Sequence, residues 1–482
     1  MSQSLTNQLI IRGRHVDAEG GATFEVLDPS TGKVITRVAN GTTSDALRAV
    51  DAAEAAAEEW AGKPPRERAE ILRRAYELMT ERSEELALLI SRENGKALRD
   101  ARGEVAYAAE FFRWYSEEAV RVLGTVQTAP SGANNIMVLH QPVGVCLLIT
   151  PWNFPAAMAT RKLAPALAAG CTMVLKPASE TPLTALAVAD ILADAGVPDG
   201  VVGVVPSRAS GEVAHALLHD PRVRKVSFTG STEVGSNLLH EAADNVVNAS
   251  MELGGNAPFM VFADADLNAA LDGAMIAKMR NGGSACTAAN RFYVEEPVAR
   301  EFGERLAQRM AALKVGNGTH EDTEVGPLVN ARTAQKVLDL IAGAKAEGAT
   351  VLTGGTAGER ETYVVPTVLS DVQPGAAILG EEIFGPVAPI VTFTTEDEAV
   401  ELANDTRYGL VSYVYTRDLA RGLRVSERID SGMVALNRGL VSDPAAPFGG
   451  TKQSGVGREG GHEGVLDYTE SKYIAVDWKA QS

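Results

Sequence analysis

The chain has 482 residues, of which 45 are Lys or Arg and 62 are Asp or Glu, so its net charge is −17 with His counted as neutral. This length predicts about two to four domains, and the 45% hydrophobic content is enough for sizeable cores and excludes a disordered chain. The acidic balance argues against nucleic-acid and anionic-membrane partners, which both require a basic surface. Three scattered cysteines exclude a disulfide framework and are typical of a reducing compartment.

Neither membrane nor targeting segments are indicated. The N-terminus has no charged region followed by a long apolar run, and the uncharged stretch 141–160 contains three prolines. We therefore expect a cytoplasmic protein. His215 and His219 are four residues apart, but no acidic residue or cysteine joins them at ligand spacing in the sequence, so no metal site is predicted.

Helices dominate the first part of the chain. Apolar residues recur at helical spacing over 44–61 and 65–93, which predicts two amphipathic helices, and the pattern continues over 98–123. Two β-like ends separated by turn residues then predict a hairpin over 124–142.

The pattern of apolar residues changes at Val143, where short apolar runs typical of strands begin to alternate with predicted helices. Such alternation predicts an α/β protein with a parallel, doubly wound sheet. It restarts after ELGGNAP (252–258), which predicts a second α/β domain. We find no internal repeat, and regular charged residues within the glycine-rich run 447–461 favour an ordered loop over a flexible linker.

Three residues are candidates for catalysis. Cys286 lies among small residues that would let a substrate reach its sulfur, although a free cysteine is more often a buried structural residue. Glu252 ends a predicted strand before two glycines and could act as a general base, or be an ordinary polar residue. Asn153 lies between Trp and Phe after a buried strand, where its amide could donate to an oxyanion or simply form a turn.

A phosphate site is indicated by the strand–turn–helix segment KVSFTGSTEVG (225–235). Backbone amides at a helix N-terminus after Gly230, together with the Ser231 hydroxyl, suit a phosphate group. The glycine spacing differs from the usual dinucleotide fingerprint, so this signal alone is weak. Lys176 ends another strand at the same predicted sheet edge.

Together these segments resemble the aldehyde dehydrogenase superfamily, in the family's order and over essentially the whole chain. The matching motifs are TPWNFP (150–155), KPAS (176–179), FTGSTEVG (228–235), MELGG (251–255), the Cys286 segment, EEIFGP (381–386) and PFGGTKQSG (447–455). The resemblance implies that family's α/β fold, with three parts. These are a Rossmann-type dinucleotide-binding domain (1–123 and 143–252), a catalytic domain (253–454) and a small β oligomerisation element (124–142 and 466–482).

The resemblance also implies roles. Cys286 would be the thiolate nucleophile, with Asn153 and the Cys286 backbone N–H as the oxyanion hole and Glu252 activating water to hydrolyse the thioester. Lys162 and Glu459 match positions proposed to relay protons from Glu252. The matching cofactor contacts are Thr150, Trp152, Lys176, Ser179, Gly230, Ser231, Glu382 and Phe384.

Cofactor choice depends on Ser179, since many NAD-preferring relatives carry Glu there, which would repel a 2′-phosphate. Ser179 and Lys176 together favour NADP over NAD. The neighbouring Glu180 has a direction that the sequence does not show, so NAD remains open.

The inferred substrate is a short aldehyde with an anionic tail. Arg161, Arg280 and Ser442 match the positions with which succinate-semialdehyde dehydrogenases, the most similar subfamily, hold the distal carboxylate. Two guanidinium groups can bind a carboxylate with charge-assisted bonds, although a lone arginine more often forms a structural ion pair. The best match is oxidation of succinate semialdehyde to succinate; glutarate semialdehyde or a sulfonated aldehyde would also suit two arginines.

Two departures from the family pattern lie beside the nucleophile. Ser284 stands where many relatives have Gln, and Ala288 stands where some have a redox-switch cysteine. The family's β element implies a homodimer or homotetramer. A cysteine hydrolase or acyl-transfer enzyme using Cys286 and Glu252 is the alternative from another class, and the cofactor motifs count against it.

Overall fold

Two large sheets organise the chain in the computed structural model, which describes residues 6–478. The strands are β1 (Leu9–Ile11), β2 (Arg14–Val16), β3 (Thr23–Leu27), β4 (Val34–Ala39), β5 (Thr125–Thr128), β6 (Asn135–Pro142), β7 (Val145–Ile149), β8 (Thr172–Lys176), β9 (Val202–Val204), β10 (Val223–Thr229), β11 (Asn248–Glu252), β12 (Ala257–Val261), β13 (Ala289–Glu295), β14 (Thr350–Thr353), β15 (Thr367–Ser370), β16 (Val387–Phe393), β17 (Tyr408–Gly409), β18 (Val411–Tyr415), β19 (Met433–Leu436), β20 (Thr451–Lys452), β21 (Gly455–Val456) and β22 (Thr469–Val476).

The α-helices are α1 (Thr43–Gly62), α2 (Pro65–Glu81), α3 (Ser83–Asn94), α4 (Leu98–Glu118), α5 (Pro155–Ala169), α6 (Pro182–Ala195), α7 (Ser210–Leu218), α8 (Thr232–Asp244), α9 (Leu267–Met279), α10 (Glu296–Ala311), α11 (Ala331–Ala346), α12 (Ala377–Gly380), α13 (Glu396–Asn404), α14 (Leu419–Arg428) and α15 (Glu463–Leu466). Short 3₁₀ turns cover Glu19–Gly21 and Arg280–Gly283. None of the helices within residues 6–478 is both long and apolar enough to cross a membrane.

The first sheet has the order β2-β1-β9-β8-β7-β10-β11-β21, and its strands from β9 to β11 are parallel. Alternate residues of β7 enter two different cores: Cys146 and Leu148 pack on one side, Leu147 and Ile149 on the other. Both faces of the sheet are therefore buried, as helices on both sides require. The chain proceeds from β7 through β8 and β9 in one direction, and β10 and β11 lie on the opposite side. A crevice for a ligand forms at such a reversal, between the carboxyl ends of β7 and β10.

The second sheet has the order β14-β15-β16-β13-β12-β18-β19 and is parallel except for β14. The chain passes from β11 to β12 through Leu253–Asn256, so the end of the first sheet's last parallel strand leads directly into the second sheet. The glycine-rich run 447–461 returns to this junction. Its β21 pairs antiparallel with β11, and its β20 pairs with β17.

A third, small sheet stands apart, with β6 between β5 and β22. The predicted hairpin is present, and β22 pairs with β6 from Thr469↔Pro142 to Val476↔Asn135. Several of its apolar side chains are exposed, among them Val126, Tyr473 and Ile474. Residues 479–482 of the predicted C-terminal element lie outside the described residues.

Two helix predictions were wrong in their bounds. The segment 65–93 is two helices, because the backbone of Arg82 leaves the helical region between α2 and α3. The apolar periodicity continues across this break, since periodicity reports which side chains are buried and not the dihedral angles of one residue. The helix predicted over 98–123 ends at Glu118, and Leu123 is 71% exposed, so nothing buries a further turn.

Candidate active site

A cleft of about 380 Å³ opens at the crevice between β7 and β10. It brings together seven of the residues singled out in the sequence: Trp152, Asn153, Gly230, Ser231, Cys286, Glu382 and Phe384. The remaining candidates lie around it, most of them linked to one another by hydrogen bonds or ion pairs.

Cys286 is half-buried and follows a tight turn that begins at Arg280. Asn281, Gly282 and Gly283 all have positive φ, which is the backbone region that glycine and asparagine tolerate best. Burial raises the pKa of the Cys286 thiol to about 12, and the positive charge of Arg161 opposes this rise. The accessible sulfur therefore needs a nearby positive charge, or a bound ligand, to become a thiolate.

Asn153 lies between the end of β7 and the start of α5, and its side-chain amide donates to the Ser284 carbonyl at 3.1 Å. A primary amide has a second N–H, which can serve an oxyanion formed on a carbonyl that Cys286 attacks. The backbone carbonyl of Asn153 accepts from the Lys96 ammonium at 2.7 Å and from the Asn281 side chain at 2.8 Å. These bonds fix the asparagine against the turn that carries the nucleophile.

Glu104 supports the same region from α4. One carboxylate oxygen accepts from the backbone N–H groups of Ala156 and Ala157, in the first turn of α5, and the other accepts from Lys96 at 2.5 Å. A negative charge at a helix N-terminus is stabilising, because the first N–H groups of a helix have no partner within it. The sequence did not indicate Glu104 or Lys96, since nothing local relates them to Asn153.

Glu252 ends β11 and is buried, 3% exposed, with one carboxylate oxygen lacking a hydrogen-bond partner among the described residues. Burial and the negative charge of Glu459 raise its pKa well above the usual range. Gly449 passes so close that a Cβ there would lie 2.8 Å from a Glu252 oxygen. A carboxylate with a raised pKa suits a general base that takes a proton from water near neutral pH.

Lys162 and Glu459, the two predicted relay residues, do meet. The Lys162 ammonium on α5 donates to Glu459 at 2.5 Å and to the Ser227 hydroxyl at 2.9 Å, and both charged side chains are buried. Glu459 is held there because its backbone pairs with that of Phe448 across the glycine-rich loop.

The cofactor side of the cleft fits a dinucleotide. The Thr229 hydroxyl at the end of β10 lines the cleft and is buried without a partner among residues 6–478. Ser231 then caps the N-terminus of α8, which attracts a phosphate. Burial raises the pKa of Glu382 to about 7, while the Gly255 N–H, 3.3 Å away, opposes the rise.

Further residues extend this side. The Trp152 and Phe384 rings meet edge to face at 5.3 Å, and Thr150, at the end of β7, is buried. Lys176 donates to the Ser210 hydroxyl, and burial lowers its pKa to about 8, with Glu180 opposing the shift.

Glu180, whose direction the sequence did not show, lines the cleft and accepts a hydrogen bond from Ser179 at 3.2 Å. A carboxylate therefore lies beside Ser179.

Of the three predicted substrate residues, Arg280 and Ser442 contact each other, and Arg161 contacts Glu459. Arg280 is half-buried, stacks over the Phe154 ring at 4.8 Å and donates to the Ser442 hydroxyl at 3.4 Å. Arg161 is fully enclosed and lies 4.0 Å from the Phe448 ring centroid, with its nearest carboxylate, on Glu459, at 3.7 Å.

Two nitrogens of the Arg161 guanidinium, Nε and Nη1, have no hydrogen-bond partner among residues 6–478. Buried donors without partners are costly, so they mark a place where an acceptor binds.

His215 and His219 do have an acidic neighbour in the structure, although the sequence spacing did not indicate one. His215 lies on α7 and His219 directly follows that helix, and both side chains lie beside Glu241 and Asp244 of α8, with His215 2.6 Å from the Glu241 carboxylate. The sequence could not show this, because the acidic residues come from the next helix. The group is exposed and lies outside the residues that line the cleft.

Sequence reasoning missed Tyr107, Lys96, Glu104, Asn281 and Phe448 around this site. Usable signals existed for Asn281, since Asn-Gly-Gly is typical of positive-φ turns, and for Phe448, which lies in the motif PFGGTKQSG. The others come from distant helices and loops.

A thiol, an amide donor and a buried carboxylate beside a dinucleotide-type cleft are the set that a dehydrogenase with a covalent thiol intermediate requires. Comparison with known proteins agrees. The model of the aldehyde dehydrogenase family matches residues 15–474. The chain therefore belongs to the aldehyde dehydrogenase family, and it is an NAD(P)-dependent oxidoreductase that acts on aldehydes.

Individual relatives are similar over nearly the full length. A succinate-semialdehyde dehydrogenase of Paenarthrobacter nicotinovorans is 56% identical over 92% of this chain and 99% of its own. A glutarate-semialdehyde dehydrogenase of Pseudomonas putida is 48% identical over 98% of each chain. The crystal structure of an E. coli NADP-dependent enzyme superposes with a TM-score of 0.96, at 46% identity over 98% of each chain.

Proposed function

We propose that this enzyme oxidises a short aldehyde with an anionic tail, with succinate semialdehyde as the best candidate substrate and succinate as the product. The observation that carries the proposal is the pair of arginines. Arg280 forms no salt bridge within residues 6–478, and Arg161 has two guanidinium nitrogens without a hydrogen-bond partner there, although one of them lies 3.7 Å from the Glu459 carboxylate. Together they supply unused charged donors to a carboxylate. The succinate- and glutarate-semialdehyde names of two relatives support the same substrate class.

In the proposed mechanism the Cys286 thiolate attacks the aldehyde carbon, and the carbonyl oxygen becomes an oxyanion held by the Asn153 amide and the Cys286 backbone N–H. When bound, the dinucleotide supplies a hydride acceptor, so that the covalent adduct is oxidised to a thioester. Glu252 then takes a proton from water, the hydroxide attacks the thioester, and the acid leaves as the Cys286 sulfur is freed. Lys162 and Glu459 carry the proton of Glu252 onward.

For the cofactor we propose NADP as the favoured partner, with NAD accepted. Lys176 and Ser179 offer a charge and a donor to a 2′-phosphate, and the NADP-dependent E. coli structure supports this choice. The carboxylate of Glu180 beside Ser179 weakens the preference.

We also propose the domain division of the sequence analysis, with the first sheet in the dinucleotide-binding domain and the second in the catalytic domain. The exposed apolar side chains of β5, β6 and β22 support an oligomerisation role for the small sheet, in a homodimer or homotetramer. Free cysteines throughout the described residues are consistent with a cytoplasmic enzyme.

The test is steady-state oxidation of succinate semialdehyde, glutarate semialdehyde and butanal, followed by absorbance of the reduced cofactor with NADP and with NAD. We expect a clear preference for the anionic aldehydes. Turnover of butanal with equal kcat/KM would contradict the proposal. Thioester or ester hydrolysis without any oxidation of aldehydes would instead favour the hydrolase alternative.

Arg280→Ala provides the matching mutation. Charged hydrogen bonds contribute about 1.5–3 kcal/mol, so we expect KM for succinate semialdehyde to rise roughly tenfold to a hundredfold. Butanal kinetics should not change, since butanal has no carboxylate. Arg113→Ala, which removes an exposed arginine on α4, is the control and should leave both substrates unaffected.

A further inference from the structure

Tyr107 stands between the two arginines of the proposed carboxylate subsite. It lies on α4, is half-buried, and packs its ring edge to face against Phe111 at a centroid distance of 5.0 Å. Neither the motifs nor the family resemblance pointed to it, because α4 contributes no motif.

Its hydroxyl holds Arg161. The Arg161 Nη2 donates to the Tyr107 oxygen at 2.6 Å, and among residues 6–478 this is the guanidinium's single hydrogen bond. A planar guanidinium held at one corner has its remaining N–H groups fixed in direction. Together with the Glu459 carboxylate, 3.7 Å from Nη1, and the Phe448 ring, Tyr107 therefore orients this guanidinium, whose Nε and Nη1 have no hydrogen-bond partner among residues 6–478.

Its ring faces Arg280. The guanidinium carbon of Arg280 lies 5.8 Å from the Tyr107 centroid, and that of Arg161 lies 5.7 Å from the same centroid. Two positive groups close to one another repel, and an aromatic face beside both reduces this cost through cation–π attraction. The Tyr107 ring thus stabilises both guanidinium groups at once.

The O–H of Tyr107 is available to donate a hydrogen bond. It accepts from Arg161, and no acceptor for its own O–H exists within the described part of the chain. A hydroxyl that already accepts from a cation is a stronger donor, since hydrogen bonds in a chain polarise one another.

We infer that Tyr107 is a specificity-determining residue, which orients Arg161 and donates its O–H to the distal carboxylate or sulfonate of the substrate. This inference rests on the proposed function, since it assumes that the anionic tail binds between Arg161 and Arg280. It adds a neutral donor to a subsite otherwise built from two cations and Ser442.

The test is Tyr107→Phe, which keeps the ring and removes the hydroxyl. We expect KM for succinate semialdehyde, and the inhibition constant of succinate, to rise by about tenfold, as for the loss of a hydrogen bond to a charged group. The kcat for succinate semialdehyde and the kcat/KM for butanal should stay at their wild-type values. Tyr76→Phe is the control, because the Tyr76 ring is also half-buried and lies beside an arginine, Arg113, but outside the residues that line the cleft.

The outcomes separate the two proposals. If the wild type prefers the semialdehyde and Tyr107→Phe keeps that preference, the inference about Tyr107 is overturned and the proposed function stands. If the variant loses activity equally with both aldehydes, Tyr107 is merely structural and the inference is again overturned. If the wild type itself shows no preference for the anionic aldehyde, the proposed function fails, and the Tyr107 inference fails with it.

Discussion

The buried ion pair of Lys96 and Glu104 offers a sharp test of how Asn153, the proposed oxyanion donor, is held in place. Both side chains are fully buried, and their charged atoms are 2.5 Å apart. Glu104→Gln keeps the size of the side chain but removes its charge. It leaves Lys96 buried without its counterion and weakens the bonds to the Ala156 and Ala157 N–H groups at the start of α5.

The expected cost follows from burial. Removing one partner of a buried pair destabilises a protein by about 3–5 kcal/mol, because an uncompensated charge remains. Catalysis should suffer as well, since Lys96 also donates to the Asn153 carbonyl. Loss of one oxyanion donor lowers kcat by about 10²–10³. In Glu104→Gln the Asn153 side chain is still present but displaced, so only part of this effect is expected. We expect kcat to fall by about tenfold or more.

The assay pairs urea unfolding with steady-state kinetics on Glu104→Gln and Glu110→Gln. Glu110 is the matched control: it lies on the same helix, and its ion pair with Arg113 is exposed, so its loss should have no measurable effect. If the two variants have the same free energy of unfolding and the same kcat, the argument that this pair positions Asn153 is refuted.

Three further predictions concern the cleft itself. With a Cys286 pKa raised to about 12, the thiolate fraction grows with pH, so iodoacetamide should alkylate the cofactor-free enzyme about tenfold faster per pH unit between about pH 7 and about pH 9. A plateau near neutral pH would contradict this. Glu180→Gln removes a negative charge beside the proposed 2′-phosphate position, so fluorescence titration should show tighter NADP binding and unchanged NAD binding; equal changes for both cofactors would disprove the placement. Gly449→Ala inserts a Cβ 2.8 Å from a Glu252 oxygen, and single-turnover kinetics should show slower thioester hydrolysis after a normal first step, whereas Gly343→Ala, where a Cβ meets nothing within 4 Å, should behave as wild type.

The fold was largely predictable because its strands are short apolar runs between turn residues, as at β7, β8 and β12. What periodicity could not reveal were local backbone events, such as the break at Arg82 between α2 and α3. The sequence predicted a parallel, doubly wound sheet but not the order of its strands. That β10 lies beside β7, and so places Gly230 near Asn153, is a long-range pairing that no local pattern encodes.

For the site, the motifs TPWNFP and FTGSTEVG were identifiable because they lie at the ends of β7 and β10, where parallel sheets bind ligands. The Cys286 segment and EEIFGP precede β13 and β16 instead, and were identifiable through the family resemblance. The contacts Lys162–Glu459 and Arg280–Ser442 join predicted residues, while the roles assigned to them remain predictions. Glu104 was not identifiable, because its role depends on its hydrogen bonds to the start of α5, which is distant in the sequence. The acidic partners of His215 were missed for the same reason.

The path of the glycine-rich loop has a consequence for how the enzyme comes into being. The strand beside Glu252, the Glu459 carboxylate and the Phe448 ring over Arg161 all come from residues after 446, near the end of the chain. A ribosome makes this segment after all the other residues named in the site. A nascent chain therefore contains Cys286 before the residues that surround Glu252 and Arg161 exist, and the acid–base side of the site is the part that is synthesised last among the named site residues.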